Sequence, residues 1–317
     1  METVESRTVQ AQQSAASFPL LVEQIVGEIL GARDLPEISY LMGRLLGAKH
    51  LVDFTSMTSE QVARVRELIQ PLAENSFTLS WALRKPYGYA GDFFALETLY
   101  DNQVSPSSTP LGQMLDRWFL DTQLATGVRA RKDMLRAFIE KKVRAHAAVT
   151  DEPFRLLSVA SGSARELRDL PEDLLQKIEI TLVDQDPRSL EFAMSHLPDS
   201  VTGMQRNALR LKPDSFPHTF DLVYSFGFFD YLSDDLIIHN LKLCRSVLSA
   251  GGSVVFPLKM NSKYRHWFYD VFMDWRFVER ELEDGLRLAT KAGLSVVELL
   301  ETENESVIFY HCVPQDN

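Results

Sequence analysis

Cysteine is scarce in this sequence: only Cys244 and Cys312 occur among 317 residues. Two cysteines in a chain of this length exclude a disulfide framework, and both lie in apolar runs, so we expect buried thiols. The zinc signatures Cys-x-x-Cys and His-Glu-x-x-His are absent, as is the Gly-x-Ser-x-Gly turn of serine hydrolases. We therefore expect no metal site.

Positive charge is also in deficit, with 33 Lys and Arg against 44 Asp and Glu and a formal net charge of −11. A surface that follows phosphates needs a basic field, so nucleic acid is a disfavoured partner. One basic run, 129–144, stands out, and we interpret it as the solvated face of a helix.

Long apolar runs are missing too, as no segment approaches the roughly 20 residues that a membrane-spanning helix requires. The first residues, METVESRTVQAQQSAASF, are polar and partly acidic, whereas a secretory signal begins with basic residues and an apolar stretch. We therefore expect a soluble, cytoplasmic protein. The sequence leaves its oligomeric state open.

Alternating strand patterns do not occur in the first 150 residues. Apolar residues there recur at three- and four-residue steps, which predicts amphipathic helices. The first helix runs from Phe18 to a stop at Gly31, and a capping box joins Thr58 to Gln61 at the start of another. We predict that residues 1–150 form an all-helical domain that caps the rest of the chain and contributes to substrate binding.

The remaining residues, 151–317, alternate apolar runs with helical stretches. This alternation predicts a parallel sheet that is covered on both faces. The last two runs, 294–300 and 306–313, are joined by too few residues for a crossover helix, so they must form an antiparallel hairpin. The predicted fold class is therefore α/β, with a seven-stranded Rossmann-like sheet that ends in this hairpin.

The stretch from Arg155 to Pro187 reads as a strand, a turn of small residues, a helix and a second strand. The turn is ASGSA at 160–164, and Asp184 closes the second strand 22 residues after Gly162. In a parallel α/β sheet both strand ends open into the crevice that binds nucleotide-like ligands. Small residues let a ligand approach the backbone, and the carboxylate can accept hydrogen bonds from ribose hydroxyls.

Together with the terminal hairpin, this stretch resembles the class I S-adenosylmethionine-dependent methyltransferases over residues 154–313. In that family the first loop cradles the methionine part of the cofactor, and the carboxylate after the second strand holds the ribose. The ends of the third and fourth strands face the adenine and the reactive methyl. The resemblance implies S-adenosylmethionine as cofactor, bound by Ala160, Ser161, Gly162, Asp184, Gln185, Asn207, Ala208, Ser225 and Phe226, with Tyr87 from the helical domain.

Three residues depart from the family pattern. Ser158 stands where the first strand commonly carries an acidic residue, and Ala160 and Ala164 replace two glycines of the loop. Their methyl groups would crowd a dinucleotide pyrophosphate more than a carboxypropyl chain. They therefore count against NAD more than against S-adenosylmethionine.

A narrower resemblance is to a bacterial subgroup with an N-terminal helical domain. The segments that carry it are KPYGYAGDFF (85–94), SFGFFDYLSD (225–234) and MDWR (273–276). The subgroup makes a hydroxy-fatty-acid methyl ester signal, and relatives close the aminobutyrate chain of S-adenosylmethionine into azetidine-2-carboxylate. The first segment is an irregular loop with two tyrosines, two glycines and Asp92, which is either a packed turn or part of the site.

Methyl transfer from a sulfonium is an in-line displacement that depends on positioning. A carboxylate acceptor needs a cationic or phenolic anchor but no base, whereas a hydroxyl or amine acceptor needs a base. The aromatic residues at 226–231 suit a sulfonium, because a ring face attracts a cation by about 0.5–2 kcal/mol. The catalytic candidates are Tyr89, Asp92, Asp230, Tyr231, Arg265 and His266.

Three functional hypotheses follow. The leading one is an S-adenosylmethionine-dependent methyltransferase that converts a small-molecule acid, such as a fatty or hydroxy-fatty carboxylate, to its methyl ester. The second is a cyclase that forms azetidine-2-carboxylate and methylthioadenosine. The third is a non-catalytic binding protein that retains the fold. The sequence does not separate them.

Overall fold

The protein divides into two compact units. The computed structural model describes residues 18–47, 57–260, 268–278, 280–303 and 307–315. Among these, the first unit takes in 18–126 and 268–276, and the second takes in the rest. No helix in the described ranges is long and apolar enough to cross a membrane.

The first unit is helical up to residue 126. Its helices are α1 (18–30), α2 (Leu35–Gly47), α3 (Ser59–Asn75), α4 (Phe77–Arg84), α5 (Phe93–Asp101) and α6 (Pro110–Leu120). The predicted stop at Gly31 is confirmed. The predicted capping box is confirmed as well, since the Thr58 hydroxyl accepts from the Gln61 backbone N–H while the Gln61 amide oxygen accepts from that of Thr58.

A buried carboxylate of α6 joins the start of α4 to the loop that precedes α6. Asp116 of α6 is fully buried. It accepts hydrogen bonds from the hydroxyls of Ser76 and Ser108 and from the backbone N–H groups of Thr78 and Ser105. A buried carboxylate is costly unless it is hydrogen-bonded, so these donors account for a charged residue in the core of the first unit.

The second unit is built on one seven-stranded sheet with the order β3-β2-β1-β4-β5-β7-β6. Its strands are β1 (Phe154–Val159), β2 (Ile178–Asp184), β3 (Thr202–Gln205), β4 (Phe220–Ser225), β5 (Leu248–Lys259), β6 (Leu294–Glu301) and β7 (Val307–Pro314). The helices around it are α7 (Gln123–Ala147), α8 (Arg165–Arg168), α9 (Glu172–Leu175), α10 (Pro187–Met194), α11 (Asp234–Ser246) and α12 (Leu282–Lys291).

Strand direction follows the prediction. The first five strands pair in parallel, and β7 pairs antiparallel with both β5 and β6. The sequence therefore predicted the fold class and the hairpin correctly. Strand order reverses between β1 and β4, which is the point at which open α/β sheets bind their ligands. Two apolar clusters cover the two faces of the sheet.

The long helix α7 packs on one of these faces. Leu135, Phe138 and Ile139 are buried in the same cluster as Leu156 of β1 and Leu222 of β4. The two compact units divide at residue 126, near the start of α7, whereas the sequence places the domain boundary at 150. The two boundaries differ because the long helix α7 lies between them. The apolar side chains of this helix pack into the core of the sheet.

Both cysteines are buried free thiols, as predicted. Burial raises the pKa of Cys244 and of Cys312 to about 12. Both side chains therefore remain protonated at neutral pH and act as small apolar residues of the core.

Candidate functional site

The loop after β1 is held in left-handed backbone conformations. The φ angles of Ala160, Gly162 and Ala164 are 55°, 56° and 50°. This region costs an L-residue with a side chain about 1–2 kcal/mol, which explains why the family favours glycine at these positions. The Ser161 N–H donates to the carbonyl of Val183 at 3.0 Å and so turns the loop toward the end of β2.

Asp184 closes β2 directly beside this loop. Its Oδ2 accepts a hydrogen bond from the Gly162 N–H at 2.8 Å, and its Oδ1 accepts one from the Asp186 N–H at 2.9 Å. Each carboxylate oxygen can accept two hydrogen bonds, so each has capacity for a further donor. Two vicinal ribose hydroxyls provide a matching pair of donors.

Binding of S-adenosylhomocysteine is expected to weaken as the pH falls through the pKa of Asp184. Burial raises this pKa above the ordinary value of 3.8, and the N–H groups of Asp186 and Gly162 oppose the shift. The ionised carboxylate is the stronger acceptor, so affinity is highest above the raised pKa and lost below it. Calorimetric titrations at decreasing pH test this. An affinity that stays constant down to the ordinary pKa of aspartate would contradict it.

A small residue and two unpaired buried hydroxyls lie at the ends of β1 and β4. A Cβ placed on Gly162 would meet no atom of the described chain within 4 Å. The hydroxyls of Ser161 and Ser225 are buried and have no hydrogen-bond partner within the described ranges. Buried hydroxyls are usually hydrogen-bonded, so these two fit a polar ligand.

These residues fit S-adenosylmethionine. Asp184 would hold its ribose, and the loop at 160–164 together with Ser225 would face its methionine part. When bound, this cofactor supplies an electrophilic methyl group on a sulfonium. The chain's own contribution would be to fix the position of that group at the ends of β1 and β4.

Three further residues predicted to bind the cofactor lie together at the ends of β2 and β3. The side-chain amide of Asn207 donates to the Oε1 of Gln185 at 3.3 Å, and its Oδ1 accepts from the Leu209 N–H at 2.9 Å. Ala208 is buried, and its carbonyl accepts from the Asn240 side chain at 3.0 Å. Their contact with adenine stays a prediction.

A buried arginine that the sequence interpretation missed lies at the end of β4. Arg131 of α7 is 8% exposed. Its Cζ lies 4.8 Å from the centroid of the Phe226 ring, and its Nη1 lies 3.3 Å from the Oδ2 of Asp230. The interpretation of 129–144 as a solvated face is therefore wrong for this residue. The signal was present, because Arg131 precedes Leu135 by one helical turn on the apolar stripe.

Asp230 and Phe226, both predicted site residues, are engaged by this arginine. The second oxygen of Asp230 accepts a hydrogen bond from the Lys259 N–H at 2.9 Å. The guanidinium covers one face of the Phe226 ring, so a cation already occupies one of the two faces that a sulfonium could contact.

A second buried carboxylate lies below the loop. Glu166 of α8 is 1% exposed and accepts a hydrogen bond from the Tyr224 hydroxyl at 2.6 Å. Burial, and then the Glu166 carboxylate, raise the pKa of Tyr224 well above its usual value, so the phenol stays neutral and donates. Glu166 thus places a carboxylate close to the first strand, where Ser158 replaces the acidic residue common in the family.

Tyr231, the other catalytic candidate of this unit, is 42% exposed. Its ring stacks on Phe277 at 5.5 Å, and the Nζ of Lys259 lies 3.6 Å from the centroid of that Phe277 ring. Lys259 and Phe277 were not singled out from the sequence. No motif marks them, since they come together only through the pairing of β5 and the return of the chain at 277.

The loop at 85–94 belongs to the first unit. Asp92 is buried, caps α5 through the Ala95 N–H at 2.8 Å, and accepts the indole N–H of Trp81 at 3.1 Å. The Tyr87 ring stacks on Phe93 at 5.3 Å, whereas Tyr89 is exposed. Packing and capping account for Asp92, and a role in the site for these residues stays a prediction.

The segment MDWR meets this loop within the first unit. The Nζ of Lys85 donates to the Asp274 carboxylate at 2.9 Å. A Cβ placed on Gly91 would lie 2.5 Å from Cζ2 of Trp275, so the indole packs directly on the glycine backbone. Two of the subgroup motifs therefore contact each other, and the pair fixes the segment 268–276 to the helical unit.

Two catalytic candidates, Arg265 and His266, lie outside the described residues. Their assignment stays a prediction. No other candidate from the sequence falls in that segment.

Comparison with known families gives two matches. A family model described as a methyltransferase domain matches residues 156–252, which span β1 to the start of β5. A second methyltransferase family model matches residues 82–200 and so includes the loop at 85–94. No curated protein matches the sequence.

Solved structures are similar to this chain at low sequence identity. A possible exported protein from Bordetella parapertussis has a TM-score of 0.58 and 15% identity, with 100% of each chain covered. An S-adenosylmethionine-dependent methyltransferase from Clostridium acetobutylicum has a TM-score of 0.45 and 13% identity, covering 62% of this chain and 97% of its own. The N-methyltransferase NodS from Bradyrhizobium japonicum has a TM-score of 0.44 and 13% identity, covering 59% and 97%.

The strand order and the hairpin, the carboxylate that closes β2, and the match over 156–252 agree with one another. The α/β unit of this chain therefore has the class I methyltransferase fold, a methyltransferase domain model matches it over residues 156–252, and the residues at the ends of its strands fit S-adenosylmethionine.

Proposed function

We propose that the protein transfers the methyl group of S-adenosylmethionine to a small-molecule carboxylate of the fatty or hydroxy-fatty class, giving a methyl ester. The domain match and the cofactor site support methyl transfer. The resemblance of the segments 85–94 and 225–234 to the ester-forming subgroup supports an acid as acceptor.

The choice of a carboxylate as acceptor rests on the hydrogen bonds that Asp230 already accepts. Each of its oxygens already accepts one hydrogen bond, from Arg131 and from the backbone N–H of Lys259, so Asp230 is part of a positioning network among the residues described. Asp92 is likewise bound to Trp81 and Ala95. A hydroxyl or amine acceptor needs a base that is free to take a proton, whereas a carboxylate is ionised at neutral pH and attacks without one.

The chain then acts by positioning. Asp184 and the loop at 160–164 would hold the cofactor, whose methyl group would then be available at the end of β4. The acceptor oxygen approaches that carbon from the side opposite to sulfur, since the displacement is in line. Correct placement of two bound reactants alone can supply about 7–11 kcal/mol of the barrier reduction.

Product analysis by mass spectrometry tests the proposal. The protein is incubated with S-adenosylmethionine alone and then with fatty acids, 3-hydroxy-fatty acids and the alcohols and amines of the same chain lengths. We expect S-adenosylhomocysteine and a methyl ester with the acids only. Methylation of the alcohols or amines but not of the acids would contradict the proposal. Release of methylthioadenosine from the cofactor alone would indicate cyclisation instead.

A further inference from the structure

The guanidinium of Arg131 lies against the backbone that follows β4. Its Cζ lies over the ring of Phe226, which directly follows Ser225, the residue that pairs with Val159 in the sheet. A Cβ on Gly227 would lie 2.9 Å from its Nη2. This is the carboxyl edge of the sheet next to the point where strand order reverses, where ligands of α/β proteins bind.

The charge of this guanidinium is only partly compensated. Its side chain is 10% exposed, and its ion pair with Asp230 is a single contact at 3.3 Å. Charge-assisted hydrogen bonds of this kind are usually about 2.7–2.9 Å, and arginine commonly pairs with carboxylates through two parallel bonds. The Nε is buried and has no acceptor among the residues described. Burying a cation with incomplete hydrogen bonding costs free energy. The Arg131 guanidinium therefore has the capacity to bind a second anion.

We propose that Arg131 binds the carboxylate of the acceptor, with Asp230 as its resting counter-ion. The proposal deepens the function proposed above and rests on it. One acceptor oxygen accepts hydrogen bonds from the guanidinium, and the other forms a bond to the methyl carbon as the carbon–sulfur bond breaks. The electron pair of that bond stays on sulfur, and no proton moves. The ester is neutral, so its pairing with Arg131 is weaker and release follows.

Calorimetric titration of decanoate into the protein saturated with S-adenosylhomocysteine tests this role without turnover. Decanol is the neutral probe of equal chain length. We expect decanoate to bind wild type more tightly than decanol. Arg131→Lys, which keeps the charge and loses the planar fork, should weaken decanoate binding roughly tenfold and leave decanol and S-adenosylhomocysteine unchanged.

Two further variants control for folding. Arg131→Gln leaves Asp230 buried without its partner, so its fold is checked by circular dichroism before its binding is compared. Arg136→Gln is the matched control, since Arg136 lies on the same helix and pairs with Glu140 at 3.6 Å. It should bind decanoate as wild type does.

Equal decanoate affinity in wild type and Arg131→Lys would overturn the inference, as would a wild-type protein that does not prefer decanoate to decanol. Failure of the inference is distinct from failure of the proposed function. If wild type forms methyl esters and Arg131→Lys forms them with an unchanged KM for the acid, the function stands and Arg131 is not the anchor. If no acid is methylated but decanoate binding depends on Arg131, the anchor stands and the reaction is different.

Discussion

Replacing Asp184 by alanine is expected to weaken binding of S-adenosylhomocysteine roughly a hundredfold. The carboxylate can accept two ribose hydroxyls, and a hydrogen bond to a charged group contributes about 1.5–3 kcal/mol. Loss of both bonds, and of the acceptors for the Gly162 and Asp186 N–H groups, leaves the ribose without its partners. Calorimetry with S-adenosylhomocysteine measures the affinity, and circular dichroism verifies that the domain remains folded.

Glu179→Ala is the matched control for this change. Glu179 is a carboxylate on the same strand, but it lies near the opposite end and pairs with Arg155 at 3.1 Å. Its removal should leave cofactor affinity within about twofold of wild type, because exposed ion pairs contribute little. An unchanged affinity in Asp184→Ala would remove the ribose assignment.

Replacing Gly91 by alanine is expected to lower the free energy of unfolding by about 2–4 kcal/mol. Gly91 has a φ of 66°, which strains any residue that carries a Cβ. The added methyl group would also lie 2.5 Å from the ring of Trp275, a residue that is 3% exposed and whose backbone N–H donates to the Tyr269 carbonyl. Neither the indole nor the glycine backbone can move away freely. Urea unfolding followed by circular dichroism measures the effect.

Gly88→Ala in the same loop separates the cost of backbone strain at positive φ from the cost of the clash with Trp275. Gly88 has a φ of 91°, but a Cβ there would meet no described atom within 4 Å. It should cost only the backbone strain, about 1–2 kcal/mol. Combining Gly91→Ala with Trp275→Phe should recover part of the loss, since the smaller ring leaves room. Equal destabilisation by the two glycine changes would show that the indole contact does not hold this loop.

The sheet was predictable because its signals are local. Alternation of apolar runs and helices fixes a parallel sheet, and the short connection before β7 leaves no room for a crossover helix. The capping box at Thr58 and the turn after Val159 are likewise determined by residues that are close in sequence. Even the two alanines that replace the family's glycines keep the left-handed backbone.

The contacts between distant segments were not predictable from the same patterns. Lys85 and Asp274 are separated by 189 positions, and Arg131 and Asp230 by 99. Neither pair is marked by a motif in which both partners occur. A single sequence shows that a residue is unusual but not which side chain it meets, since such pairings depend on how the elements pack.

Contacts that the sequence did not predict change the interpretation of Asp92 and of the basic run on α7. Asp92 was a candidate base because a carboxylate in an aromatic loop is unusual, and its partners Trp81 and Ala95 give it a structural role. The basic run on α7 was interpreted as a solvated helix face. The helical period instead places Arg131 on the stripe that packs against the sheet. Burial by neighbours, which propensity does not encode, accounts for the partners of both residues, and a role for Asp92 in the site stays a prediction.

The central claim is that an acceptor carboxylate attacks the methyl group of S-adenosylmethionine directly. The most direct measurement uses a fatty acid labelled with oxygen-18 in both carboxyl positions and a cofactor with a deuterated methyl group. Mass spectrometry of the product should find a methyl ester that retains both oxygen labels and the intact deuterated methyl. An ester that has lost an oxygen label, or cofactor consumption that yields methylthioadenosine without any labelled ester, would contradict the account.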